Sequence, residues 1–233
     1  MPWPNGDAKI LLFDIETTNL KADFGNMLCI GYKWYGKPRV YVPSIMDYEG
    51  WESDVTDDSS LVADFLRVYE EADMVVSYFG KGFDNKFLNA KLLEYQLGIL
   101  PNTPHVDLYF TVKANLALSR KSLQNVGYHL SLSNEKTPVE GKIWRQAQVG
   151  KPSAIKYVIK HCRADVLILE EAYTRLRPLV RTHPRVRGCG PCRSCGSTHV
   201  QRRGVALTAL LGPRVRVQCQ SCGAWESRPE RQA

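Results

Sequence analysis

The chain has 233 residues, 44% hydrophobic and 24% charged, which is room for one domain of roughly 150–200 residues and a small appendage. No apolar run approaches the ~18 residues of a membrane span, and the N-terminal MPWPNGDAK lacks the basic-then-apolar order of a secretory signal; no membrane partner and an intracellular, cytoplasmic location are expected. The net charge of +7 sits entirely in residues 184–233, which carry nine Arg, no Lys and two Glu.

In chain order, ILLFDI at 10–15 reads as a buried strand and MLCIGYKWY at 27–35 as a second. Gly36-Lys37-Pro38 supplies a turn into RVYV at 39–42, completing an antiparallel meander. The acidic stretch 47–58 is expected as a surface loop. Ser59 or Ser60 then caps a helix with Leu61, Val62, Phe65, Leu66 and Tyr69 on its apolar face. MVVSY at 74–78 is a fourth strand, and a helix runs from about Asp84 to Leu97. Pro101 and Pro104 bracket a loop into HVDLY, followed by helical pieces over 108–118 and 121–129. Residues 132–151, polar and punctuated by Gly and Pro, are expected to form a loop. From Pro152, Ile155, Val158, Ile159, Cys162, Val166, Leu169, Tyr173 and Leu176 follow helical spacing. Strand–helix alternation after a meander implies an α/β three-layer domain.

Four carboxylates carry the chemical signal. Asp14 and Glu16, two apart on a strand, point to one face about 6.5–7 Å apart, while Phe13 and Ile15 point the other way. Two acids there repel each other unless a cation sits between them, and Mg²⁺ takes hard oxygen ligands. Asp84 stands at a helix mouth after a glycine-flanked turn, where an Asp also serves as an ordinary cap. Asp165 lies inside the long helix with His161 one turn before it, an acid and an imidazole on one face.

The segments LLFDIETTNL, VVSYFGKGFDNKFLNAKLL and HCRADVLILEEAY, in this order, resemble the three exonuclease motifs of the DEDD (DnaQ-like) 3′–5′ exonuclease superfamily, closest to the B-family polymerase type. The resemblance spans roughly residues 9–177. It implies a ribonuclease H-like fold with a mixed five-stranded sheet, and Asp14, Glu16, Asp84 and Asp165 as ligands of two Mg²⁺ or Mn²⁺ ions. It further implies two-metal hydrolysis of phosphodiester bonds in DNA or RNA, with His161 orienting or deprotonating the attacking water. HVDLYF and SLQNVGYHL are similar to the connecting region of polymerase-type exonucleases, making Asp107 either an accessory acid or the cap of the helix after it. Two positions depart from the pattern. Relatives with an Asn five residues before the second-motif Asp would have it where this chain has Phe79. One subfamily has Tyr four residues before the last Asp and another has His five before it; here His161 stands at the four-residue spacing. A structure-specific endonuclease and a catalytically weak nucleic-acid-binding module are the alternative readings.

Near the C-terminus, Cys192-x2-Cys195 and Cys219-x2-Cys222 are separated by 23 residues, each pair closing on Cys-Gly. This pattern reads as a zinc ribbon binding one structural Zn²⁺ through four thiolates. Cys189 forms a competing C-x2-C with Cys192 and is expected to be a spare or alternative ligand. Residues 198–203 and 214–218 read as hairpin arms, placing Arg202, Arg203, Arg214 and Arg216 where they can meet nucleic acid, with docking of a protein partner as the rival role. The expected division is a ribonuclease H-like exonuclease domain over 1–180, a linker over 181–188, and a zinc ribbon with a basic tail over 189–233.

Overall fold

The computed structural model describes residues 9–134, 138–180, 183–184, 192, 197–208 and 212–229. Most of the expected linker, and Cys189 and Cys195, lie outside the described residues. The chain divides into two compact units, Lys9–Thr174 and a second formed by Arg175–Ala233 with Met1–Ala8. Among the described residues no helix is long and apolar enough to cross a membrane.

The larger unit is built on a five-stranded mixed sheet in the order β3-β2-β1-β4-β5. β1 (Ile10–Thr17), β2 (Met27–Trp34) and β3 (Val40–Tyr41) form the antiparallel meander. β4 (Met74–Ser77) adds to β1 in parallel and β5 (His105–Asp107) to β4 in parallel, each reached through a helical crossover. The helices are α1 (Ser59–Glu70), α2 (Asp84–Glu94), α3 (Leu108–Asn115), α4 (Leu123–Leu130), α5 (Gly141–Gln148) and α6 (Pro152–Leu176). β1 and β4 are buried almost throughout, as expected of strands covered on both faces. Phe13 packs its ring 5.5 Å from Phe65 and 5.7 Å from Tyr69, joining β1 to α1.

Several expectations change. Residues 132–151 are not all loop: α5 forms because Ile143, Trp144 and Ala147 share one face that packs on the core. The helix after β4 ends at Glu94 rather than Leu97, because the chain turns left-handed at Gln96 (φ 57°) and Leu97 N–H bonds the Leu92 carbonyl. Neither Ser59 nor Ser60 precedes α1; Asp58 does, and its buried carboxylate makes no capping bond. It accepts instead from Met27 N–H at 2.5 Å and from the Tyr95 hydroxyl, so the end of the acidic stretch is a buried strut rather than surface loop.

Two contacts set α6 against β2. Lys33 pairs with Glu170 at 3.0 Å, and Gly36 N–H donates to the same carboxylate at 2.9 Å. Gly31, opposite Asp14 in register, lets the helix close in: a Cβ there would lie 2.8 Å from both Cys162 Sγ and Val166 Cγ2. That approach brings the middle of α6 to the carboxylates of β1.

On the far side of the sheet, His105 sits between the Ser77 hydroxyl (2.7 Å) and Asn85 (3.4 Å). Burial, assisted by Lys81, pushes its imidazole down to about 3. A folded pKa below the unfolded value of about 6.5 gives stability that is complete above pH 6.5 and lost as pH falls toward 3. Between pH 6.5 and 5 this loss is roughly 2 kcal/mol. The raised carboxyl of Asp84 gains stability over the same range in both chains, so in urea denaturation the change from pH 7 to pH 5 should be less favourable in the natural chain than in His105→Gln by about that amount.

Candidate active site

On β1, buried Phe13 and Ile15 alternate with partly exposed Asp14 and Glu16. A carboxylate oxygen of each, with Cys162 Sγ, lies within a 4.8 Å cluster. Two negative charges that close repel by roughly 3 kcal/mol at an effective dielectric of about 20, so the pair calls for a positive charge between them. Asp84 reaches the same strand by another route. The parallel pairing of β1 with β4 ends at Leu12 and Val76. Beyond it, Ile15 N–H donates to Asp84 Oδ1 at 3.2 Å. Asp84 is therefore not an ordinary cap: it is the first residue of α2, and its carboxylate turns to the backbone between Asp14 and Glu16. Burial pushes that carboxyl up to about 7, against the pull of its own N–H and that of Ile15.

α6 supplies the remaining groups. His161 and Asp165 are both buried, one turn apart. His161 Nε2 lies 3.6 Å from Glu16 Oε1 and 3.7 Å from Asp165 Oδ2. At the four-residue spacing the imidazole thus stands inside the carboxylate cluster rather than at its rim. Glu16, His161 and Asp165 each offer a ligand atom within 4.8 Å of the others. The oxygens are the hard donors that Mg²⁺ or Mn²⁺ takes, so the residues present fit such an ion.

Asp14 and Asp165 also line a cavity of about 480 Å³, with Tyr78, Phe79, Tyr109 and Lys121 on its walls. Phe79 holds a left-handed backbone (φ 69°), a strained conformation for an aromatic residue. Its ring rests on Gly82, where a Cβ would meet it at 2.4 Å, and stands edge-on to Tyr109 at 4.8 Å. Asp107 secures this turn by accepting from Phe79 N–H at 2.9 Å and Lys81 N–H at 3.0 Å, and it caps α3 through Tyr109 N–H at 3.0 Å. Tyr78 bonds the Lys121 carbonyl through its hydroxyl, fixing the entry to α4. Of these wall residues the sequence singled out only Phe79; Tyr109 and Lys121 carry no motif spacing of their own.

These bonds make Asp107 a positioning residue. Asp107→Ala should destabilise the chain by about 1–3 kcal/mol in denaturant titration, because three N–H groups lose their acceptor. Calorimetric Mn²⁺ binding should be unchanged; a variant that no longer binds the ion would make Asp107 a ligand after all.

In the C-terminal unit, β6 (Val200–Thr208), β7 (Gly212–Cys219) and β8 (Trp225–Pro229) form an antiparallel sheet. The first two strands are the expected hairpin arms; β8 was not expected. Cys192, Cys219 and Cys222 offer thiols within 4.8 Å of one another, and the Cys192 and Cys222 sulfurs are 3.8 Å apart. Tetrahedral zinc with bonds of about 2.3 Å places its sulfurs roughly 3.8 Å apart, and a disulfide only about 2 Å apart, so these thiols fit the metal. The expected fourth ligand, Cys195, is outside the described residues.

A family model described as the RNase_H superfamily matches residues 11–177, more than half of the chain. The chain belongs to the RNase H superfamily. No curated protein matches it. The RNase H match runs from β1 through α6 and takes in all four carboxylates and His161, while every cysteine of the proposed zinc site lies beyond it. Membership implies nucleic-acid binding and nuclease-type hydrolysis, and RNase H-like folds use divalent metals.

Proposed function

We propose that the chain is a metal-dependent 3′–5′ exonuclease that hydrolyses phosphodiester bonds of DNA or RNA. The observation that supports this most is the position of His161 Nε2, 3.6 Å from Glu16 and 3.7 Å from Asp165, with Asp165 also lining the cavity. Two Mg²⁺ or Mn²⁺ ions held by Asp14, Glu16, Asp84 and Asp165 would supply, when bound, electrostatic stabilisation of the charge that develops on the phosphate. The protein's own groups do the rest. His161 takes a proton from the attacking water at Nε2, and the two flanking carboxylates stabilise the imidazolium that results. Lys121 lines the cavity, and its ammonium, which donates to the Leu118 carbonyl at 3.3 Å, keeps further protons for a phosphate. Phe79 and Tyr109 present an aromatic wall suited to the unstacked base of a strand end, and the cavity has the size of a small-ligand pocket rather than of a duplex groove. The C-terminal cysteines bind one structural zinc, and that unit aids capture of the nucleic acid.

The decisive assay uses 5′-labelled DNA and RNA strands with free or blocked 3′ ends, with and without Mn²⁺. The proposal expects metal-dependent, stepwise shortening of the free ends only. Cleavage within blocked strands would make the enzyme an endonuclease.

A further inference from the structure

The pairing register of the C-terminal sheet separates the four arginines. In an antiparallel pair, residues opposite each other present their side chains to the same face. Arg202 stands opposite Val217. On β7, Val215, Val217 and Cys219 are buried and alternate with Arg214, Arg216 and Gln218. Arg202 therefore lies on the face of the buried valines. Gln201 stands opposite Gln218, and Arg203 Nε donates to the Gln218 side chain at 3.2 Å, which puts Arg203 on the other face with Arg214 and Arg216. Gln218 also pairs with Trp225 of β8, so the indole joins that second face.

Trp225 is 51% exposed, and the Arg216 guanidinium lies over its ring, 4.9 Å from the centroid. The one acid among the described residues of this sheet, Glu226, stands opposite Val217 on the other face and is bonded to Arg228. The open face thus combines three guanidinium groups, an exposed indole and no carboxylate among the described residues. Guanidinium groups satisfy phosphates, whereas a flat indole gains only from a base whose own face is free. A duplex hides its base faces in the stack; a single strand exposes them.

We infer that this face, formed by Arg203, Arg214, Arg216 and Trp225, binds single-stranded nucleic acid, with a base stacked at Trp225 and phosphates on the arginines, and that Arg202 takes no part. The inference rests on the reading of nucleic acid as the substrate and specifies which strand form the C-terminal unit holds.

The test is fluorescence anisotropy of a labelled thymidine 15-mer with the full chain, without chelator and without added Mg²⁺ or Mn²⁺. Trp225→Ala should weaken binding about 5- to 100-fold, the range of one lost base stack, and Arg216→Ala about 10-fold or more, the range of one lost charge-assisted phosphate contact. Trp225→Phe should retain most of the affinity, which separates stacking from unfolding. Arg202→Ala should change it less than about twofold, and Arg216→Ala should lower the slope of log affinity against log salt by about 0.7. An abasic strand of equal length should bind the natural chain more weakly and be indifferent to Trp225→Ala. Full affinity in Trp225→Ala, or a loss in Arg202→Ala equal to that in Arg216→Ala, overturns the inference. A chain that shows the expected binding yet degrades no strand keeps this face and sinks the exonuclease.

Discussion

Asp14→Ala and Asp165→Ala are each expected to lower Mn²⁺-dependent degradation by about a hundred- to a thousandfold, the scale on which one electrostatic contact to developing charge matters. Asp14→Ala should not be less stable without metal, because Asp14 and Glu16 crowd each other and removing one acid relieves repulsion. Asp165→Ala also loses the contact with His161 and is compared with and without metal against its own baseline. What they should lose is stabilisation by the ion. Binding at a hundred times the dissociation constant adds about 2.7 kcal/mol to a fold that has the site. Melting temperatures with and without Mn²⁺ therefore test the site without any nuclease substrate. A natural chain whose melting is indifferent to Mn²⁺, or a variant with full activity, would dismantle the assignment.

The second large effect concerns the thiols. Cys219→Ser should release zinc and abolish the sheet of β6, β7 and β8. Structural zinc contributes apparent binding energies of about 10–16 kcal/mol, comparable to the whole stability of an ordinary domain, and a unit this small has little else to hold it. Metal analysis should find one zinc per natural chain and a loss in the variant. Amide exchange at buried Val215 and Val217 should rise from protected to fast. Unchanged protection after zinc loss would mean that the sheet stands on side-chain packing alone.

Much of the larger unit was legible because its signals are local and periodic. The strands around Phe13 and Ile30 are continuous apolar runs, and α6 repeats its buried positions over 25 residues. The acidic set was legible as a group, through motif order, rather than residue by residue. Other features depend on partners far away in sequence. Nothing near Asp58 says that it will hold the Met27 amide, and nothing near Asp107 says that Phe79 needs an acceptor. α5 is short and its stretch is rich in polar residues, so its three apolar positions were outvoted. β8 is five residues long with a charged interior, too little for alternation to register. The arginines were found by composition, but their separation onto two faces is a matter of register, which no single strand encodes.

Past Leu12 and Val76, a side chain continues the hydrogen bonding that a strand had carried. The Ile15 amide, between two acids of the site, bonds not to a neighbouring backbone but to the carboxylate of a third. Its proton resonance should therefore register the ionic state of Asp84 from inside the sheet. A titration with Mg²⁺ followed at that single amide would report occupancy of the centre without substrate, turnover or an added label.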